Sequence, residues 1–157
     1  MKKILIALDY DPTAEKVAET GYSLAKAMNA EVVLLHVIAD LSYYSSMTFS
    51  PIMGFTGFID PNIPSDFMQT THELEKGSRR FLGQIKKHLG DDAITTLVMD
   101  GDFAETILRA AKENNADIIV MGTHSRSGFD KFLMGSVAEK VFHHRTIPLF
   151  IIPNKGK

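Results

Sequence analysis

A chain of 157 residues, 45% of them apolar and with a net charge of −2, can bury about 70% of the surface it exposes when unfolded, so it needs no metal or disulfide to close a core; it is read as one domain, residues 1–157. It has no cysteine, which excludes disulfides, cysteine-ligated metal and thiol catalysis. The mildly acidic balance argues against a protein built to coat nucleic acid, and no apolar run approaches the roughly 18 residues of a membrane span.

The chain opens with "MKKILIALD". Its basic start and short apolar run, with no small-residue cleavage site, read as a strand over 2–8 and not as a signal peptide, so a cytoplasmic protein is expected. The run is short and branched, as in strands buried on both faces. Pro12 suits a helix start, with Asp11 or Thr13 as cap. Ala14, Val17, Ala18, Gly21, Tyr22 and Ala25 then recur at helical spacing. "EVVLLHVI" (31–38) is a second buried strand. Residues 65–89 carry a long helical pattern with Phe67, Leu74, Phe81, Leu82, Ile85 and Leu89 as apolar positions. "AITTLVMD" (93–100) is a third strand, and 103–115 a helix capped by Asp102 with Glu105 three residues on. "ADIIVMG" (116–122) is a fourth strand, 135–145 a helix, and "IPLFIIP" (147–153) a fifth strand.

Strands alternating with helices predict an α/β fold with an open parallel sheet and helices on both faces. One segment breaks the rhythm. Residues 39–65 form a long loop rich in aromatics, with Tyr43, Tyr44, Phe49, Met53, Phe55 and Phe58. Such a loop either packs over a sheet edge or a partner subunit, or serves as a ligand lid.

The stretch "GTHSRSGFDKFLMGS", 122–136, lies between the fourth strand and the next helix. In open α/β sheets ligands bind outside the carboxyl ends of the strands, where strand order reverses. Gly122 lets the backbone turn, Gly128 tolerates positive φ, and Gly135 and Ser136 open a helix whose N–H groups favour an anion. Thr123, Ser125, Ser127 and Ser136 offer hydroxyl donors; Arg126 and Lys131 add positive charge. Composition alone fits a phosphate cradle and an ordinary loop of solvated serines equally well.

The stretch resembles the nucleotide loop of the universal stress protein family, whose ATP-binding members carry G-x2-G-x9-G-[ST] after the fourth strand. Gly122, Gly135 and Ser136 match that motif, and "KKILIALD", "LLHV", "GDFAETILRAAKENNADIIVMGTHSRSG", "GSVAEKV" and "IPLFIIP" resemble family segments in family order. The resemblance covers the chain apart from 39–65. It implies a five-stranded parallel sheet in order 3-2-1-4-5 with a cleft between strands one and four. Ser125 stands where the motif has its second glycine. A serine there is strained if the position needs positive φ; alternatively its hydroxyl binds the phosphate.

The resemblance also places the remaining site residues. Asp9 falls where family members use an aspartate near the ribose or adenine; a carboxylate accepts well from ribose hydroxyls, and capping the first helix is its plain structural role. Ala7, Leu8, Val37 and Met121 are candidates for the apolar wall of a purine pocket, or for plain core. Gly101 falls where family backbone approaches the adenine. Gly122, His124, Ser125, Arg126, Gly128, Gly135, Ser136 and Val137 complete the expected cofactor-binding set. No resident metal is expected. Mg²⁺ enters only with a nucleotide, and Asp11, Asp100 and Asp102 are the carboxylates that could help hold it.

The histidines give no metal or catalytic cluster. His143 and His144 are adjacent and point about 100° apart on a helix. His36 lies in a buried strand, and His72 and His88 lie on one helix. No nucleophile has a base at hand, so fast turnover is not expected, although slow ATP hydrolysis is compatible. A phosphate loop after the first strand, as other adenine-nucleotide folds have, would need glycines and a lysine that "LDYDPTAEKV" lacks. The sequence is therefore read as a stress-response protein that binds ATP, ADP or AMP and acts through dimerisation or partner interaction. The alternative is a dimeric interaction module of the same family that binds no nucleotide. The last strand is apolar and bracketed by Pro148 and Pro153, so Leu149, Phe150, Ile151 and Ile152 are expected at or near a two-fold homodimer interface, as in family members.

Overall fold

Short branched apolar runs alternate with helical patterns, and in a computed structural model they become five strands and four helices. In chain order these are β1 (Lys3–Ala7), α1 (Ala14–Met28), β2 (Glu31–Ile38), α2 (Phe67–Leu89), β3 (Thr95–Asp100), α3 (Phe103–Glu113), β4 (Ile118–Gly122), α4 (Ser136–His144) and β5 (Leu149–Ile152). The structure describes residues 1–38, 67–123 and 136–153, with side chains from 72 onward in the second stretch. The aromatic-rich loop read over 39–65 lies outside the described residues, as does the side chain of Phe67.

All pairings are parallel and the order is β3-β2-β1-β4-β5, as the resemblance implies. β1 is central. Ile4 faces Val32 on one side and Ile118 on the other, and Ala7 faces Leu35 and Met121. Ile4, Leu5 and Ile6 are fully buried, as expected for a strand covered on both faces.

Side chains alternate across the sheet, so the two faces build separate cores. Ile4, Ile6, Val32, Leu34 and Val120 pack with α1 (Ala14, Val17, Ala18, Ala25) and α2 (Phe81, Leu82, Ile85). Leu5, Val33, Leu35, Val37, Ile119 and Met121 pack with α3 (Ala104, Ile107, Ala110, Ala111) and α4 (Ala138, Val141). The apolar positions of α1 read from helical spacing are thus buried, with Tyr22 half-buried.

The ends of several elements differ from the sequence ranges, each for a local reason. β3 begins at Thr95 and not at 93, because the Ile94 N–H is spent on the Asp91 carbonyl in the preceding turn. α3 stops at Glu113 and not at 115; Asn115 is left-handed at φ 54°, and the Ala116 N–H returns to the Ala111 carbonyl. That closure delays β4 from 116 to Ile118. β5 begins at Leu149 because Pro148 has no N–H to give the ladder.

The cap of α1 also needs correction. Thr13 occupies the cap position with no side-chain cap bond. Asp11 instead accepts the Thr13 N–H and hydroxyl, each at 2.7 Å. Asp102 does cap α3, accepting the Glu105 N–H at 3.0 Å.

α1 sits close to the sheet at Gly21. A Cβ there would lie 2.8 Å from Ile6 Cδ1 and 3.1 Å from Val120 Cγ1. Both neighbours are completely buried and have no free space to yield. Gly83, on the exposed side of α2, has nothing within 4 Å of the same point. Gly21→Val should therefore cost about 2 kcal/mol or more through overpacking, whereas Gly83→Ala should gain up to about 1 kcal/mol from helix propensity. Urea unfolding of the two variants checks both signs.

Candidate functional site

β1 and β4 lie side by side, but the chain leaves them in opposite directions. After β1 it turns to α1 on one face; β4 is followed by α4 on the other. The two strand ends therefore part, and a cleft opens at the point where strand order reverses. It is an open, solvent-facing pocket, in the place where open α/β sheets take their ligands.

Of the residues read from the sequence, Ala7, Asp9, Val37, Met121, Gly122 and Val137 line this cleft, together with Leu8, Asp11 and Thr123. Ala7 and Met121 are register partners at the ends of β1 and β4. Val37 comes from the end of β2 and Val137 from the first turn of α4. Gly101 follows β3 but is not among the lining residues. Its φ of 137° and the 2.7 Å from its missing Cβ to Thr106 Oγ1 give it a structural reason to be glycine. Ser136 is the exposed first residue of α4 and likewise does not line the cleft. His124, Ser125, Arg126, Gly128 and Gly135 lie outside the described residues.

The sequence reading missed Leu35, Phe103 and Ile107, and the α1 residues Thr13, Ala14 and Val17. Some of these carried a signal. Leu35 shares the strand face of Val37 by period two, and Phe103 and Ile107 are one helical turn apart. The outcome is a largely aliphatic wall from β2, β4 and α3, facing a rim with two carboxylates, Asp9 and Asp11.

Those carboxylates are not equivalent. Asp11 is held in the turn by both donors of Thr13, so the N-terminus of α1 already meets a negative charge. The same is true of α3, where Asp102 also has Lys140 Nζ at 3.6 Å. Asp100 is exposed at the end of β3. Among the described residues no group of three His, Asp or Glu side chains could hold a metal ion.

His88 pairs with Glu19 at 2.6 Å on the surface, and that hydrogen bond raises its pKa. His143 lies 3.8 Å from Glu139. His36 is buried under the cleft. Its Nδ1 is 2.7 Å from the Leu8 carbonyl; a carbonyl only accepts, so Nδ1 carries the proton. The ring meets Phe81 edge-on at 5.6 Å, and Phe81 meets Tyr10 edge-on at 5.0 Å. Burial pushes the His36 pKa below the ordinary value, against smaller upward pulls from the Leu8 hydrogen bond and the Asp9 charge.

Comparison with known proteins agrees with this architecture. The family model described as the universal stress protein family matches residues 1–54 and 59–153. Universal stress protein MJ0577 of Methanocaldococcus jannaschii is 29% identical over 158 residues, covering 99% of this chain and 96% of its own. A solved structure of hypothetical protein MJ0577 superposes with a TM-score of 0.72 at 26% identity, covering 99% and 98% of the two chains. A universal stress protein solved in complex with cAMP shares the fold, with a TM-score of 0.60 at 16% identity over 96% and 95% of the chains.

The buried histidine makes acid stability predictable in sign. Its folded pKa is depressed, so above about pH 6.5 both states are neutral and its contribution is fully present. As pH falls below that value the unfolded chain takes up a proton that the folded one refuses, and stability is lost. The exposed His88 acts in the opposite sense. Between pH 7 and 5, His36→Leu should therefore lose less stability than the wild type, as read from thermal unfolding at fixed ionic strength.

Proposed function

The chain belongs to the universal stress protein family, and on that premise we propose that it binds an adenine nucleotide (ATP, ADP or AMP) in the cleft between β1 and β4 and acts through dimerisation or partner interaction. The observation that carries this reading is the cleft itself. It lies at the switch point, has an aliphatic wall suited to a purine face, and presents Asp9 at its rim. A universal stress protein of the same fold has been solved with cAMP, which supports an adenine nucleotide as the ligand class.

Charge gives the ligand a direction. The N-termini of α1 and α3 each meet a carboxylate already, so neither suits a phosphate. That leaves the N-terminus of α4, where Val137 lines the cleft and Ser136 follows Gly135 in the sequence motif. Asp9, on the opposite side, suits ribose hydroxyls. Asp11 is engaged in its own turn, so Mg²⁺ would arrive with a triphosphate and be held mainly by phosphate oxygens. A single domain in the cytoplasm fits the family match over residues 1–54 and 59–153 and the cysteine-free composition; among the described residues no helix is long and apolar enough to cross a membrane.

Ser125, in place of the motif's second glycine, favours one other reading: a dimeric interaction module that has lost the nucleotide. Calorimetric titration with AMP and ATP, with and without Mg²⁺, separates the two. Binding is expected, and Asp9→Ala should weaken it by about tenfold or more, the worth of hydrogen bonds to a charged acceptor. No heat and no competition at millimolar nucleotide would leave the interaction module.

Assembly rests on β5. It pairs with β4 along one side, and it ends the sheet order on the other. Ile152 is buried in the α1 face, whereas Phe150, which shares that face by register with Val120, is 41% exposed. An apolar edge of this kind is normally covered, and a two-fold partner through Leu149–Ile152 would cover it. Phe150→Lys should convert a dimer to a monomer in light scattering at micromolar concentration, with the melting temperature of the monomer unit nearly unchanged because the side chain faces outward. A wild-type monomer at that concentration would refute the assembly.

A further inference from the structure

Asp9 sits two residues beyond the end of β1, in a segment that must hold its place at the rim of the cleft. The residue before it is fixed at both of its polar groups by adjacent residues of β2. The Leu8 N–H bonds to the Leu35 carbonyl at 2.8 Å, and the Leu8 carbonyl accepts Nδ1–H of His36 at 2.7 Å. The residue after it is fixed through the same ring, because Tyr10 packs edge-on against Phe81 and Phe81 against His36. Asp9 is therefore bracketed, on one side by a hydrogen bond from His36 and on the other by an aromatic stack that ends on His36.

We propose that His36 is a positioning residue of the nucleotide cleft, holding through Leu8 and Tyr10 the strand end that presents Asp9. The inference rests on the nucleotide reading for its functional half. It explains why a 98% buried position, in a strand otherwise aliphatic from Val32 to Ile38, is a histidine. A leucine would fill the layer more cheaply, but it would leave the Leu8 carbonyl without this donor and Phe81 without this ring. The side chain touches the back of the strand, on the α1 and α2 face, while the cleft's aliphatic wall is on the other face through Leu35 and Val37. His36 thus acts through the backbone and not on the ligand.

Two substitutions separate positioning from packing. His36→Asn keeps a donor where Nδ1 lies but loses the ring. His36→Leu fills the space but loses the donor. A purely structural role would make the leucine variant the better protein in every respect. The proposal expects the two readouts to cross. His36→Leu should exchange the Leu8 amide hydrogen about tenfold faster than wild type, with Leu5 unchanged, and should bind AMP about tenfold more weakly; His36→Asn should return both to within about threefold of wild type while being no more stable than His36→Leu. Phe81→Leu, which keeps the donor and removes the backing of the ring, should show the same local effects at smaller amplitude, and decides the matter if either His36 variant does not fold. Leu8 exchange and AMP affinity unaltered in His36→Leu, or His36→Asn no better than His36→Leu in both, would overturn the proposal. If wild-type protein binds no AMP, the nucleotide reading falls by itself, and the exchange measurements alone decide whether His36 holds the strand end.

Discussion

A central strand bonded on both sides has nowhere to put an unpaired amide and no face that can stay wet. β1 meets both demands: its ladder partners are Glu31–Leu35 on one side and Ile118–Met121 on the other, and Ile4, Leu5 and Ile6 are sealed from solvent. Parallel neighbours must be reached by crossover helices, and the two crossovers that flank this strand cover opposite faces. The gap between the ends of β1 and β4 follows directly. The cleft is where the covering of the sheet changes sides, so its position depends on β1 being central and not on any one side chain in it.

What lines the gap is a division of labour between faces. Residues pointing to the α3 and α4 side, such as Leu35, Val37 and Met121, supply an apolar wall by the same alternation that builds the core. The turns supply charge. Asp11 and Asp102 are tied to local N–H donors, and Asp9 stands at the rim of the cleft. The Lys140–Asp102 pair, at 3.6 Å, links the turn before α3 to α4.

Most of this architecture was legible in the residues. The five strands were visible because both faces of the sheet are covered, which makes each central run continuously apolar, and the α1 face was visible because Ala14, Val17, Ala18, Gly21 and Ala25 keep a helical period. Asp102 was recognisable as a cap since Glu105 stands three residues on. Ends were less legible, because they depend on single hydrogen bonds: that of Ile94 to Asp91 delays β3, and that of Ala116 to Ala111 delays β4. In the site, residues on the strand tips (Ala7, Asp9, Val37, Met121, Gly122) were found from topology and resemblance. Phe103 and Ile107 were not, because their helical spacing marks only a shared face, and their reach into the cleft depends on how α3 lies across β2. The role of His36 was hidden for the same reason: a buried histidine announces that it needs a partner, but not that the partner is the carbonyl next to Asp9.

The placing of β1 also bears on how the chain is made. Its first partner, β2, follows it almost at once, but the Lys3 backbone meets Asp117 across a separation of 114 residues. A ribosome adding roughly 5–20 residues per second leaves that side of the strand waiting on the order of ten seconds for β4. During that interval the central strand of the sheet is a one-sided ribbon with an open apolar margin. The nascent chain is therefore most exposed to misassociation through the very strand that is best protected once folding is complete, and its need for chaperone cover should end when β4 has cleared the exit tunnel.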